Sequence, residues 1–151
     1  MKINKLALLI AFAIASVLFL EVAARADETD QSTKLTFSQP IEIPGQILPA
    51  GTYLFKLADP NDLNVVRIFN SRGTRLYATL QTVTAERAEP TGKAVVVLAD
   101  QPEGRPETLV KWFYPGNTSG HELVYSKQEE QQLAQAQLQT IVANETAQAG
   151  D

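Results

Sequence analysis

Short runs of β-branched and aromatic residues, separated by turn residues, fill the chain from residue 34 to residue 125. The runs recur at roughly the 8 to 12 residue spacing that is typical of all-β sandwiches and barrels. Pro44-Gly45 illustrates the breaks, because proline fixes a negative φ and glycine permits the positive φ of a type II turn. The pattern predicts strands at residues 34–37, 41–43, 52–57, 65–69, 76–85, 94–99, 108–114 and 122–125.

No long helical pattern separates these runs, so no crossover connection is available and neighbouring strands are expected to pair antiparallel through hairpins. We predict an all-β fold, an antiparallel β-sandwich or small open barrel of seven or eight strands, in a single domain at residues 27–126. The chain contains no cysteine, so disulfides are excluded and packing must hold the domain together.

Residues 127–151 differ in kind from the β-domain. Ser126-Lys127-Gln128-Glu129 matches a capping box, in which serine and glutamate satisfy each other's backbone amides. A thin apolar stripe then predicts a C-terminal helix from residue 127 to about residue 143, followed by a disordered tail at residues 143–151. The pattern leaves three possibilities open: a helix packed on the sheet, a partner-binding element, or a partly frayed segment.

Residues 1–26 have the organisation of a secretory signal peptide. Lys2 and Lys5 precede an apolar run of about 15 residues, and Ala24-Arg25-Ala26 supplies a small-x-small cleavage site. The run is shorter than the roughly 20 residues that span a bilayer, and no second run follows, so we expect no membrane span in the mature chain. This predicts a periplasmic or secreted protein cleaved near Ala26, with a frayed polar lead-in at residues 27–33.

Charge and composition narrow the classes of partner and chemistry. Cleavage removes three of the 13 basic and one of the 17 acidic residues, which leaves a net charge of about −6. That balance disfavours nucleic acid, whose phosphates reward clustered Lys and Arg. A single histidine and no cysteine exclude His-pair and Cys-ligated metal sites, and no Gly-rich phosphate loop occurs. We therefore expect no metal, no cofactor and no nucleic-acid partner.

The only tryptophan and the only histidine lie in one stretch, KWFYPGNTSGHELVY at residues 111–125. If residues 115–120 form a hairpin loop, alternation pairs Tyr114 with His121 and Trp112 with Leu123. One face then carries six bulky side chains: Val110, Trp112, Tyr114, His121, Leu123 and Tyr125. Burial of such rings favours this face as the core.

A binding site remains open only at the loop end of this hairpin. There Tyr114, Asn117 and His121 are candidates for a shallow ligand rim. A one-residue shift of the strand register would exchange the two faces, so this prediction depends on the loop length.

Catalytic arrangements have little support in the sequence. A Ser-His-Asp triad would have to use His121, and Ser119 lies too near it in sequence to be presented as a nucleophile. Glycoside hydrolysis needs two carboxyl groups held about 5 to 9.5 Å apart, and no pair of acids stands out from the turn and surface positions. We therefore expect a protein that is not an enzyme.

Three blocks carry a resemblance: PGQILPAGTYLFKL at 44–57, VVRIFNSRGTRLYATLQTVTAERAEPTGKAVV at 65–96 and WFYPGNTSGHELVYSKQE at 112–129. Together they resemble a family of small secreted bacterial β-proteins of unknown function, which shares L-P-A-G-T-Y, E-P-T-G and W-F-Y-P-G blocks in this order. The resemblance covers residues 35 to about 128. It implies an exported bacterial β-protein and assigns no activity to any residue.

These observations favour an exported, non-catalytic binding or structural protein of the bacterial envelope or the extracellular medium, with a protein or a glycan as its partner. The alternative is a carbohydrate-active or other hydrolytic enzyme that uses surface carboxylates and His121.

Overall fold

The computed structural model of the chain describes residues 30–102 and 104–142. The predicted signal peptide, residues 27–29 and the predicted tail at residues 143–151 lie outside these ranges. The described residues form one helix, α1 (Lys127–Leu133), and ten strands. The strands are β1 (Thr33–Phe37), β2 (Ile41–Ile43), β3 (Gln46–Leu48), β4 (Gly51–Asp59), β5 (Asp62–Asn70), β6 (Leu76–Glu86), β7 (Val95–Ala99), β8 (Glu107–Phe113), β9 (Ser119–Leu123) and β10 (Leu138–Val142).

Eight of these strands follow one path, β1-β4-β5-β6-β9-β8-β7-β10, in which every neighbouring pair is antiparallel. The β2–β3 hairpin joins β8 on the same edge as β9, and β2 runs parallel to β8. Within the described residues β1, β3 and β10 each have a single strand partner, so the sheet is open. The predicted all-β fold with one helix is confirmed, with ten strands and with one parallel pair that hairpin connections alone did not predict.

The path folds back on itself around one main core. The rings of Phe55 in β4 and Trp112 in β8 meet edge to face with their centroids 5.7 Å apart, although these two strands are not neighbours in the sheet. Both side chains are 1% exposed. Buried residues from β1, β4, β5 and β6 thus pack against residues from β2, β7, β8 and β9. This two-layer packing is that of a sandwich.

A second, smaller apolar cluster lies on the other face of the β7–β8 region. It consists of Ala85, Val95, Val97 and Phe113. Because β7 contributes to both clusters, all five of its residues are buried, which explains its continuous apolar sequence Val-Val-Val-Leu-Ala.

The C-terminal segment differs from the prediction. The capping box is confirmed, since the Ser126 N–H donates to Glu129 Oε2 over 3.0 Å and the Glu129 N–H donates to Ser126 Oγ over 3.3 Å. The helix, however, ends at Leu133 instead of about residue 143, and residues 138–142 form β10 on the edge of β7. The predicted boundary at residue 126 therefore separates one strand from the sheet to which it belongs.

Two physical reasons account for this difference. Helix α1 buries no residue completely, so little apolar burial supports its extension, although Leu133 packs partly against the main core. The sequence Leu-Gln-Thr-Ile-Val of β10 is rich in β-branched residues, which suit a strand. The edge of β7 supplies backbone partners for that strand.

The β8–β9 hairpin keeps the predicted faces but not the predicted pairs. Trp112 lies opposite His121, two residues away from the predicted register, and because a shift of two preserves alternation the same face still points inward. A register irregularity between Val97 and Leu98 on the partner strand β7 changes the alternation further along β8. As a result Leu109, and not Val110, joins Trp112 in the main core.

Gly120 provides a test of this hairpin packing. A Cβ atom at this position would lie 2.6 Å from the Trp112 carbonyl oxygen and would also collide with the ring of Phe113. We expect Gly120→Ala to lower the free energy of unfolding by about 1–3 kcal/mol, because backbone and a buried ring must both move. Gly92→Ala is the matched control, since its Cβ meets nothing within 4 Å. Urea denaturation of both variants measures the difference, and equal effects would contradict the described packing.

Candidate functional site

A cleft of about 340 Å³ opens beside His121, at the end of the β8–β9 hairpin. Uncharged polar side chains supply most of its wall: Gln31, Thr84, Asn117, Thr118, Ser119 and His121. Leu63 and two glycines complete the lining that residues 30–102 and 104–142 provide, and none of these lining residues is Asp, Glu, Lys or Arg.

His121 lies at the base of this cleft and is held on two sides. Its ring stacks on the Trp112 indole, with centroids 5.0 Å apart and an angle of 28° between the planes. Its Nε2 lies 2.7 Å from Oε1 of Gln31. Burial lowers the pKa of His121 below its usual 6.5, and a hydrogen bond with the Leu63 backbone opposes that shift only in part. The imidazole is therefore neutral at neutral pH.

Gln31 reaches His121 from the segment before β1. Its φ is +51°, a left-handed conformation that is uncommon outside glycine, and its carbonyl accepts a hydrogen bond from the Thr33 hydroxyl over 3.2 Å. The preceding residue is also anchored, because the Leu57 N–H donates to the Asp30 carbonyl over 2.7 Å and the Lys56 ammonium lies 3.5 Å from the Asp30 carboxylate. The prediction of a frayed lead-in is therefore wrong for residues 30–33.

Residues 116–118 of the loop at residues 114–118 line the cleft, and Arg87 holds this loop in place. The Arg87 guanidinium donates to the carbonyls of Asn117 over 2.7 Å and Tyr114 over 3.3 Å. It also lies over the ring of Phe113, 4.9 Å from the centroid. Burial lowers the pKa of Arg87 from its usual value. The side chain stays charged, because the usual pKa of a guanidinium lies far above neutral pH. The loop is thus attached to the second apolar cluster beneath it.

The three residues of the predicted rim are not all brought together. Asn117 and His121 line the cleft. Tyr114 is absent from that lining, and its ring packs partly against the main core. Gln31 and Thr84 take part instead. Sequence reasoning missed both, since Gln31 meets His121 only through a contact across 90 residues and Thr84 only through the pairing of β6 with β9.

Three polar side chains of the cleft, those of Gln31, Ser119 and His121, are engaged in structural hydrogen bonds. Ser119 Oγ donates to the Glu86 carboxylate over 2.9 Å, and His121 Nε2 faces Gln31. No serine-histidine hydrogen bond of the kind that activates a nucleophile is formed by this pair. Among the described residues no group of three or more His, Asp and Glu side chains could hold a metal ion. The arrangement can donate and accept hydrogen bonds to a neutral guest.

No family model, no curated protein and no solved structure matches this chain. The resemblance carried by the three sequence blocks therefore stays a prediction. In residues 30–102 and 104–142 no helix has both the length and the hydropathy that crossing a bilayer requires.

The burial of His121 predicts a pH dependence of stability. The pKa of His121 is lowered in the folded state, so near pH 6.5 the unfolded chain binds a proton more readily than the folded chain does. The free energy of unfolding therefore falls as the pH drops below about 6.5. His121→Gln should flatten the dependence of the free energy of unfolding on pH between pH 7.5 and pH 5.5. Urea denaturation at several pH values measures this, and identical slopes for wild type and variant would contradict a buried neutral imidazole.

The Arg87 contacts predict that charge alone cannot replace the guanidinium. We expect Arg87→Lys to lower the free energy of unfolding by about 1–3 kcal/mol. A lysine ammonium cannot donate to both carbonyls and stay over the ring of Phe113 at the same time. Arg72→Lys, at an exposed turn position, is the control and should change stability by less than about 0.5 kcal/mol. Hydrogen exchange at the Asn117 amide, which donates to the Tyr114 carbonyl, should accelerate only in the first variant.

Proposed function

We propose that this protein is an exported, non-catalytic binding protein of the bacterial envelope or the extracellular medium, and that the His121 cleft holds an uncharged polar group of its ligand. The observation that carries the proposal is the chemistry of the cleft wall. Amide and hydroxyl groups line it, the imidazole is neutral, and none of the described residues in the wall carries an ionised side chain.

The size and the chemistry of the cleft support a small neutral guest. A volume of about 340 Å³ is at the lower end of the roughly 300 to 1,000 Å³ typical of ligand pockets. An ion placed in this cleft would lose water without gaining a counter-charge from the wall, which is costly. A neutral guest can replace its lost water contacts with hydrogen bonds to Thr84, Asn117 and Thr118.

Preorganisation supports binding further. His121 is fixed by Trp112 and Gln31, and the loop is fixed by Arg87. Walls that are already rigid lose little conformational entropy when a ligand enters.

Export rests on the sequence of residues 1–26, with its Lys2 and Lys5, apolar run and Ala24-Arg25-Ala26 site. Hydrolysis that uses His121 and surface carboxylates is the weaker proposal. The described residues of the cleft wall include no carboxylate, and the Ser119 hydroxyl donates its hydrogen bond to Glu86.

The proposal is tested by NMR titration of ¹⁵N-labelled protein with neutral oligosaccharides and with capped, uncharged di- and tripeptides. We expect at least one probe to shift the amide signals of Thr84, Asn117 and Ser119. Asn117→Asp should weaken that probe at least tenfold, since it places a charge in the wall, whereas Gln131→Glu on the exposed helix α1 should leave it unchanged.

Two results would overturn this function. One is the absence of any shift at these three amides across both classes of probe. The other is conversion of a bound probe into hydrolysis products that is lost in His121→Gln.

A further inference from the structure

Strand β6 changes its partner halfway along its length. Its first half pairs with β5, and the last pair of that ladder is Val65 with Gln81. Its second half, Thr82–Glu86, pairs with β9. The first residues of β5 turn away into the β4–β5 hairpin, where Asp62 lies opposite Asp59. Within the described residues, no strand is therefore paired with this edge of β6 beyond Thr82.

Backbone alternation shows which groups face that edge. The Gln81 carbonyl accepts from the Val124 N–H over 3.2 Å, and the Arg87 N–H donates to the Thr118 carbonyl over 2.9 Å, so odd-numbered residues of β6 bond toward β9. Successive residues of a strand direct their backbone groups to opposite edges. The N–H and C=O groups of Thr84 and Glu86 consequently point to the open edge. The Thr82 N–H still faces Asn64 of β5, because Val65 and Gln81 form a pair without mutual hydrogen bonds.

Two hollows adjoin this edge. The first is the His121 cleft, and the second is an outer groove of about 400 Å³ lined in part by Val65, Val83 and Val124. Thr84 lines both. The groove is lined by residues 81–84 of β6, by Asp62, Asn64 and Val65 on the β5 side, and by Val124 on the β9 side. It therefore crosses β6 and reaches the open edge at Thr84.

The side chains at this edge are unusually exposed or unsatisfied. Val83 and Leu63 are each 53% exposed, and Val124, which lies across β6 on the β9 side, is 39% exposed. Thr82, which is 4% exposed, has a hydroxyl with no hydrogen-bond partner in the part of the chain that the structure describes, and it lines the outer groove. The exposed apolar side chains of Leu63 and Val83 thus lie close to the unpaired backbone groups of β6.

We propose that this edge is a strand-addition site for a single extended peptide segment. The segment pairs with the backbone of Thr84 and Glu86, beyond the point where β5 separates from β6. Because successive side chains of a strand point to opposite faces, one alternate set enters the outer groove and the other enters the His121 cleft. This inference rests on the proposed function, since it names the ligand of that cleft.

The lining specifies the chemistry of the segment. The valines of the outer groove favour apolar side chains, and the amides and hydroxyls of the cleft favour uncharged polar ones. Among the described residues of the two linings Asp62 alone is ionised, so one basic residue at that end is accommodated. Leu63 and Asp62 of β5 border the site opposite β6, so the partner must be a lone segment and not the edge of a preformed sheet.

The probe that tests this is the fluorescein-labelled peptide acetyl-Ser-Val-Thr-Val-Asn-Val-Ser-amide, measured by fluorescence anisotropy on the full-length exported protein. Two control peptides accompany it: the same composition with the alternation scrambled, and the same sequence N-methylated at every second amide. We expect each control to bind at least tenfold more weakly, since one loses the side-chain pattern and the other loses backbone pairing.

Matched variants separate the edge from the rest of β6. Val83→Lys should weaken the peptide at least tenfold, whereas Leu76→Lys, on the same strand and 49% exposed, should not. Thr84→Pro should fold and lose binding, because the N–H that proline removes points to the open edge. Val83→Pro should unfold, because Val83 pairs with Glu122 of β9. Circular dichroism checks the fold of each variant.

Hydrogen exchange gives a readout that is independent of variants. The amides of Thr84 and Glu86 should exchange rapidly in the free protein and become protected by the peptide. Slow exchange of both in the free protein, or equal binding of the alternating and N-methylated peptides, would overturn strand addition. If the peptide fails to bind while a sugar still shifts Thr84 and Asn117, strand addition is overturned and the proposed binding function stands. If neither binds, both fall.

Discussion

Burial of the Trp112 indole is the interaction on which this fold depends. The ring joins the two layers through Phe55 and supports His121 on its other side. A domain with no disulfide has only packing to oppose the conformational entropy of the chain, and an aromatic ring of this size buries about 150 to 250 Å². The same contact that stabilises the core thus sets the position of the base of the cleft. Its indole N–H has no partner among the described residues, a cost that the surrounding packing must exceed.

Several features of the fold can be predicted from the local pattern of the sequence. Alternation in residues 111–125 correctly turned Trp112 and His121 inward, because a register error of two residues leaves the faces unchanged. The sequence Pro44-Gly45 also predicts its turn, and Gly45 has the positive φ that this turn requires, at 83°. The capping box at Ser126 also follows from side-chain chemistry within four residues. In each case the determining atoms lie close together in sequence.

The rest depends on partners that sequence does not reveal. The segment 138–142 becomes a strand because β7 has a free edge, and the contact of Gln31 with His121 depends on where β1 is anchored. The change of partner in β6 depends on the divergence of β5 into its hairpin. Alternation alone places Tyr114 at the rim. In the structure its backbone carbonyl accepts a hydrogen bond from Arg87, and its ring packs partly against the core. These are tertiary outcomes.

The position of β10 at the end of the chain has a consequence for biogenesis. Strand β7 is apolar on both faces, and one of its edges is completed only by residues 138–142. A chain that emerges from its N-terminus first must hold that edge unpaired while some forty further residues follow, and unpaired apolar edges invite association with other chains. Truncation anywhere before residue 138 would leave the vulnerability permanent. Pairing of residues 138–142 therefore ends the exposure of this edge in the nascent chain.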